Sequence, residues 1–287
     1  MNRVKRTLAP YLLVLPGGLW LLLFFVVPMA TMLSLSLQEG DIVNGYVFTG
    51  HWQTYVEAIS GYQTQLIRSL VYGAITSLIL IVLSFPVAYW IAFYGGKKKT
   101  IYLFLILLPF FVSFVLRTIS WRMILTDDGV LLHPLKEAGL LSAGFHILGT
   151  PVAVIGGLVY NFLPFMVLPI YVALERIDPR IVEAARDLYA SPATAFRRVI
   201  FPLALPGVFA GVLMTFVPAS SDYVNSELLG GTETTMIGQV VQSKFLTSSD
   251  YPSASALAFT LMAVLLIGVF AYARALGTED VMKVAAR

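Results

Sequence analysis

The chain has 287 residues, of which 58% are hydrophobic and only 12% are charged, and its formal net charge at pH 7 is +3. This composition, with a mean hydropathy of +0.82, excludes an ordinary soluble domain and indicates an integral membrane protein. The lack of cysteine excludes a disulfide scaffold, and the three histidines, His51, His133 and His146, are too scattered to predict a metal site.

Six segments are long and apolar enough to be predicted as membrane-spanning helices. The first runs for about 27 uncharged residues, or about 40 Å of helix against a hydrocarbon core of about 30 Å. That length favours a retained anchor over a cleaved signal peptide. The predicted spans are residues 11–37, 69–94, 100–125, 147–174, 199–221 and 251–273. The sequence therefore predicts an all-α membrane protein that forms a single domain over residues 1–287.

Lysine and arginine residues collect at one side of this arrangement. They precede the first span, occupy residues 97–99 after the second, recur between the fourth and fifth spans, and follow the sixth. The positive-inside rule then predicts six spans with both termini in the cytoplasm. The segments 38–67 and 126–149 are predicted to lie outside, the second with a turn at Asp127–Gly129 and a short helix over 134–141.

The segment 178–198 is polar and charge-rich, and it lies between the fourth and fifth spans. Asp178 with Pro179, and Ser191 with Pro192, are each typical of a helix N-cap followed by the first helical residue. Helical spacing gives the first helix one apolar stripe, formed by Ile181, Ala184, Ala185 and Leu188. The pattern predicts a helix, a sharp corner and a second helix, facing the cytoplasm where a soluble partner can bind.

The sequence of residues 183–207, EAARDLYASPATAFRRVIFPLALPG, resembles the EAA loop in the membrane subunits of ABC importers. The resemblance implies the type I importer permease fold, with coupling helices over 178–198 that bind a separate ATPase. It assigns the ATPase contacts to Glu183, Ala184, Ala185, Arg186, Asp187, Leu188, Tyr189, Ala190 and Ser191. The family usually has glycine where this chain has Tyr189. Because tyrosine does not adopt a positive φ cheaply, the turn or the partner's groove must differ there.

Flanking segments extend the resemblance over about residues 65–260. LTDDGVLLHPLKEAGLL (125–141) and FVPASSDYVNSELLGG (216–231) are similar to permease subunits of spermidine/putrescine ABC importers. That family implies a location in the plasma (inner) membrane and four partners: a second permease subunit, which is either a related, non-identical chain or a copy of this one, two ATPase subunits and an extracytoplasmic solute-binding protein.

No motif of this chain predicts catalysis. The sequence has no G-x-x-x-x-G-K-[ST] phosphate loop, no Ser/His/Asp arrangement and no paired acids. The chain is therefore predicted to be a non-enzymatic subunit with no catalytic residue, metal or cofactor of its own. The resemblance implies that partner ATPase subunits use ATP and Mg²⁺. The net charge needs no nucleic acid to explain it, because cytoplasmic loops account for it.

Polar and aromatic residues in or near the spans are candidates for the substrate pathway, because polar groups at membrane depth are costly and usually functional. They are Arg117, Trp121, Asn161, Asp222, Tyr223, Asn225 and Glu227. An acidic residue beside tyrosine could bind an ammonium group through charge-assisted hydrogen bonds and cation–π contact.

Each candidate also has a structural alternative. Arg117 could be a structural partner for a helix end or for a carboxylate such as Asp222, and Asn161 could satisfy backbone groups freed by Pro164. Glu227 could cap an outer helix or touch the binding protein, and Trp121 could serve in packing or in the interface belt.

The sequence as a whole predicts a polyamine importer subunit that forms half of a translocation pathway. The alternatives are an ABC importer permease for another small solute, an ion-coupled secondary transporter and an assembly factor. A secondary transporter would need buried ionisable residues and an inverted repeat, and an assembly factor would have no use for the segment 178–198.

Overall fold

The computed structural model describes residues 13–142 and 144–275, and these residues are mostly helical. The helices are α1 (Leu13–Leu35), α2 (Gln53–Tyr94), α3 (Lys99–Leu107), α4 (Phe114–Leu125), α5 (Leu132–Glu137), α6 (Pro151–Glu175), α7 (Pro179–Asp187), α8 (Pro192–Ser220), α9 (Val224–Leu229), α10 (Ile237–Leu246) and α11 (Tyr251–Ala275). Short 3₁₀ turns occupy Gly96–Lys98, Leu108–Phe111 and Thr232–Thr234. The terminal basic residues Arg3, Lys5, Arg6, Lys283 and Arg287 lie outside the described residues.

Five of these helices, α1, α2, α6, α8 and α11, are each long and apolar enough to cross a membrane. A sixth span is formed if the bent pair of residues 96–111 and α4 is counted as one. The predicted all-α membrane fold is therefore confirmed. Helix α2 begins well before the predicted second span and contains a non-helical residue, Tyr62 (φ −125°, ψ 20°).

The third predicted span is not a straight helix. The chain bends by 87° between Phe111 and Phe114, where Val112 and Ser113 are extended with ψ near 140°. Pro109 lies in the 3₁₀ turn just before the bend, and its ring removes a backbone donor that a continuing α-helix would use. The apolar composition is unbroken across the bend, so hydropathy alone predicted one continuous helix.

The chain packs into two compact units, residues 13–63 with 240–263, and residues 64–239 with 264–275. That all 287 residues form one transmembrane domain stays a prediction. The first unit contains a hairpin that the sequence analysis did not predict, in which strand β1 (Gln38–Asp41) pairs with strand β2 (Gly45–Phe48) in antiparallel register. The Asp41 carboxylate accepts hydrogen bonds from the backbone N–H groups of Val43 and Asn44, at 2.8 and 2.7 Å.

The second unit has its core between α6 and α8, which lie side by side along most of their lengths. Gly207 of α8 permits this approach, since a Cβ there would lie 2.5 Å from the carbonyl oxygen of Pro169 in α6. The largest fully buried side chains of the core come from α2, α6 and the turn before α10, and include Leu80, Ile91, Leu158, Met166, Ile170, Leu174 and Met236. Both polar regions described next belong to this second unit.

Candidate functional site

The segment after α6 folds as its sequence predicts at its N-terminal end. Asp178 accepts a hydrogen bond from the backbone N–H of Arg180 at 2.9 Å, and Pro179 is the first residue of α7. A carboxylate at this position satisfies a backbone donor that the first helical turn leaves free, and it interacts favourably with the helix dipole. The Asp178 cap therefore fixes the start of α7 at Pro179.

The C-terminal end of α7 turns sharply without a glycine. The N–H of Leu188 donates to the carbonyl of Ala184 at 3.2 Å, and the N–H of Ala190 donates to that of Ala185 at 3.1 Å. These bonds enclose Tyr189, whose φ is +58°. A residue in the left-handed region normally ends a helix in this way, and it is usually glycine. Tyrosine makes the same turn here, so the chain reverses direction with a large side chain at the corner.

Helix α8 follows at once and continues into the membrane. Ser191 accepts a hydrogen bond from the N–H of Thr194 at 3.2 Å and caps the helix. A π-helical stretch, Phe196–Ile200, joins the first turn of α8 to the apolar part without a break. The predicted second short helix and the predicted fifth span are thus one continuous helix.

The segment is attached to the core on one side and exposed on the other. Val182 and Phe196 pack against the core cluster, and the Phe196 ring meets the Phe85 ring edge-on at 5.4 Å between centroids. Of the nine residues expected to contact an ATPase, six are exposed: Glu183, Ala184, Asp187, Leu188, Tyr189 and Ser191. Ala185 and Ala190 are half-buried, and the Arg186 side chain lies outside what the structure describes. The outer side of the segment is therefore open to a protein partner.

A second polar region links α4, α6 and α9 by buried hydrogen bonds. The amide nitrogen Nδ2 of Asn161 lies 3.1 Å from both Thr118 Oγ1 and Asn225 Oδ1 and donates to them. The backbone N–H of Asn225 donates to Asp222 Oδ1 at 2.7 Å, and its Nδ2 donates to the same oxygen at 3.2 Å. All four residues are buried. We call Thr118, Asn161, Asp222 and Asn225 the buried polar network.

Close helix packing makes this network possible. Gly157 lies one turn before Asn161 in α6, and a Cβ at Gly157 would lie 2.6 Å from Asn225 Oδ1 and clash with Leu229. Only glycine lets α6 and α9 approach so closely. The Asp222 carboxyl follows α8. Burial raises its pKa to about 6, and the hydrogen bonds from Asn225 offset only part of this rise.

Arg117 lies next to the network in α4, but it does not pair with Asp222. Its guanidinium carbon lies 4.0 Å from the centroid of the Phe110 ring and 5.9 Å from that of Tyr160. Within residues 13–142 and 144–275 it has no carboxylate at ion-pair distance, and its Nε and Nη1 atoms are buried without a hydrogen-bond partner. The suggested Arg117–Asp222 pair is therefore wrong, because aromatic faces surround the guanidinium in place of a carboxylate.

The other pathway candidates have different surroundings. The Trp121 ring packs edge-on against Tyr160 at 5.3 Å, which agrees with the packing alternative. Tyr223 precedes α9, and both Tyr223 and Glu227 are exposed. The network therefore unites three of the seven candidates, Asn161, Asp222 and Asn225.

Sequence reasoning missed two contributors to this region, Thr118 and Ser226. Thr118 Oγ1 donates to the carbonyl of Phe114 at 3.1 Å while accepting from Asn161. Ser226 Oγ accepts from the N–H of Met236 at 2.9 Å and lies 2.8 Å from Gln239 Oε1. A usable signal was their position beside Arg117 and Asn225 in the sequence. Among the described residues, no group of three or more His, Cys, Asp or Glu side chains could hold a metal ion.

Comparison with known sequences gives one family. Residues 84–276 match the family described as binding-protein-dependent transport system inner membrane component. The chain is 36% identical over 257 residues to the spermidine/putrescine transport system permease protein PotB of Haemophilus influenzae, covering 89% of this chain and 90% of that protein. It is 34% identical over 257 residues to PotB of Escherichia coli K12, covering 89% and 94%.

Two solved structures match the fold of this chain over nearly its whole length. The crystal structure of a bacterial ABC transporter involved in the import of the acidic polysaccharide alginate matches with a TM-score of 0.78 and 18% identity, over 95% of this chain and 96% of that one. A bacterial alginate ABC transporter in complex with an alginate pentasaccharide-bound periplasmic protein matches with a TM-score of 0.68 and 20% identity, over 94% of each chain. At these identities the likeness extends to the fold alone.

Proposed function

Because the chain belongs to the family of binding-protein-dependent transport system inner membrane components, we propose that it is a permease subunit of an ATP-driven polyamine importer. The observation that carries the substrate class is its 34–36% identity to two spermidine/putrescine permeases over 89% of its length. It forms half of a translocation pathway in the plasma membrane, with both termini in the cytoplasm.

The acidic and aromatic groups near the buried polar network suit a polyamine. A polyamine carries several ammonium groups, each of which binds a carboxylate by charge-assisted hydrogen bonds and an aromatic face by cation–π contact. Asp222 and the exposed Tyr223 supply these two groups at adjacent positions. Asp222 meets the ammonium group in this proposal, and Asn161 and Asn225 hold Asp222 in position.

Helix α7 and its corner couple the pathway to ATP hydrolysis. The exposed side of residues 183–191 binds a separate ATPase subunit, and closure of an ATPase pair moves the two segments of a permease pair together. Because α8 runs unbroken from Pro192 to Ser220, the movement reaches the residues next to Asp222. The complete importer contains a second permease, two ATPase subunits with ATP and Mg²⁺, and an extracytoplasmic binding protein.

The test is the ATPase activity of the complex in lipid. The chain is purified with the subunits that accompany it, reconstituted with the binding protein, and titrated with spermidine, putrescine and a panel of amino acids, sugars and inorganic anions. We expect stimulation by a polyamine and by no other solute of the panel. Stimulation by a different solute would remove the polyamine assignment and keep the importer, whereas a complex without any ATPase would overturn the importer itself.

A further inference from the structure

The backbone of Tyr189 is strained, yet its side chain gains no packing against the described residues of this chain. Among the described non-glycine residues, only Tyr189 and Ser249 have a positive φ, a region in which a Cβ crowds the backbone. The Tyr189 side chain is 99% exposed. Backbone strain of this kind persists where the surrounding structure maintains it, and it is concentrated at functional sites.

An exposed apolar pair occupies the corner between α7 and α8. Leu188, next to Tyr189, is 81% exposed, and the two residues directly follow α7, whose exposed residues include Glu183 and Asp187. Tyrosine is among the residues that contribute most to protein–protein binding energy, since its ring buries a large area and its hydroxyl makes a hydrogen bond. An exposed tyrosine at a projecting corner is suited to entering a pocket.

The corner is also held rigidly, which fixes where the Tyr189 backbone points. The hydrogen bonds that end α7 lie on one side of Tyr189 and the Ser191 cap lies on the other. Val182 and Phe196 join the segment to the core. A contact residue on a fixed backbone loses less entropy on binding than one on a mobile loop.

We propose that Tyr189 is the anchor by which this chain selects its ATPase subunit, its ring entering an apolar pocket that ends in a hydrogen-bonding group. The inference rests on the proposed function and adds a specificity-determining residue to it. An ATPase that has this pocket binds tightly. An ATPase whose surface closes against a glycine at the corner is blocked by the ring.

The experiment compares substitutions that keep the left-handed turn and remove the ring. Tyr189→Gly and Tyr189→Asn both suit a positive φ, so each preserves the end of α7. The permease complex is placed in lipid nanodiscs and titrated with the ATPase subunit identified in the purified wild-type complex. We expect Kd to rise about tenfold or more for both variants, in the range of an interface anchor, and to rise by about threefold or less for Tyr189→Phe, which retains the ring.

Ser249→Gly is the matched control, since it relieves the same kind of backbone strain at the loop between α10 and α11. It should leave the Kd unchanged. In the reverse arm, the ATPase of an importer whose permease has glycine at the matching corner should bind Tyr189→Gly more tightly than the wild-type chain. Wild-type affinity in Tyr189→Gly and Tyr189→Asn overturns this inference alone. Absence of any ATPase from the wild-type complex overturns the proposed function and this inference together.

Discussion

The buried carboxyl of Asp222 makes the stability of this protein depend on pH. Burial raises the pKa of Asp222 from its usual value of 3.8 to about 6. The folded protein therefore binds this proton more tightly than the unfolded chain does. It follows that the contribution of Asp222 to the free energy of unfolding falls as the pH rises from about 4 to about 6, and that this contribution changes no further above that range. A pKa difference of about 2 corresponds to about 3 kcal/mol.

The substitution Asp222→Asn tests this dependence. Asparagine keeps an acceptor oxygen for the N–H of Asn225 but does not titrate, so the variant should lose the decline in stability between pH 4 and pH 6. Thermal unfolding of the chain in nanodiscs, followed across pH 4–7, measures the effect. Asp128→Asn alters an exposed carboxylate and should keep the wild-type profile. Parallel profiles for wild type and Asp222→Asn would contradict the assignment.

Single residues differed in how well the sequence revealed them. Asn161, Asp222 and Asn225 stand out because polar side chains are rare in or beside apolar spans, and the structure brings all three together. The residue type of Thr118 was less informative, because a threonine in a helix commonly bonds to its own backbone; its only signal was its position beside Arg117. Which group Arg117 faces could not be predicted either, since that depends on the bend before α4.

At the scale of helices, the packing of α6 against α9 depends on Gly157. The substitution Gly157→Ala puts a methyl group against Asn225 Oδ1 and Leu229. We expect it to lower the free energy of unfolding by about 1–3 kcal/mol, as overpacking does. Because it displaces Asn225, it should also weaken the Asn161–Asn225 hydrogen bond. Thermal unfolding in nanodiscs measures the loss.

The neighbouring Gly156 provides the control for Gly157. A Cβ at Gly156 would meet no atom within 4 Å, so Gly156→Ala should be neutral or slightly stabilising through the better helix propensity of alanine. Equal effects of the two substitutions would mean that helix propensity, and not the contact with α9, determines the result.

Helix-scale predictions succeeded where hydrophobicity was sufficient. Long apolar segments indicated α1, α6, α8 and α11 because a spanning helix needs little more than length and low polarity. A hydropathy profile does not show where a helix axis changes direction, so it missed the bend at Val112 and Ser113. The hairpin was missed because strands of four residues with a turn at Asp41 leave a weak signal beside a spanning helix.

In the proposed importer complex, a bulky charge on the exposed side of α7 should weaken the binding of the ATPase subunit. Ala184 is exposed near the middle of α7, and Ala184→Arg should abolish substrate-stimulated ATPase activity while membrane insertion is unchanged. Ala138→Arg, at an exposed residue after α5, should retain the activity. Uptake at the wild-type rate in the Ala184→Arg variant would refute coupling through this segment.

An ion pair between Lys99 and Glu175 bears on how many times the chain between them crosses the membrane. Lys99 Nζ lies 3.4 Å from Glu175 Oε1, so the start of α3 and the end of α6 lie at the same membrane face. A chain that leaves a face and returns to it crosses an even number of times. If α6 crosses the membrane once, the bent pair that contains Val112 and Ser113 is expected to cross it as well. Had that pair only dipped into the bilayer and returned, Glu175 would lie at the opposite face from Lys99, and their ion pair could not form.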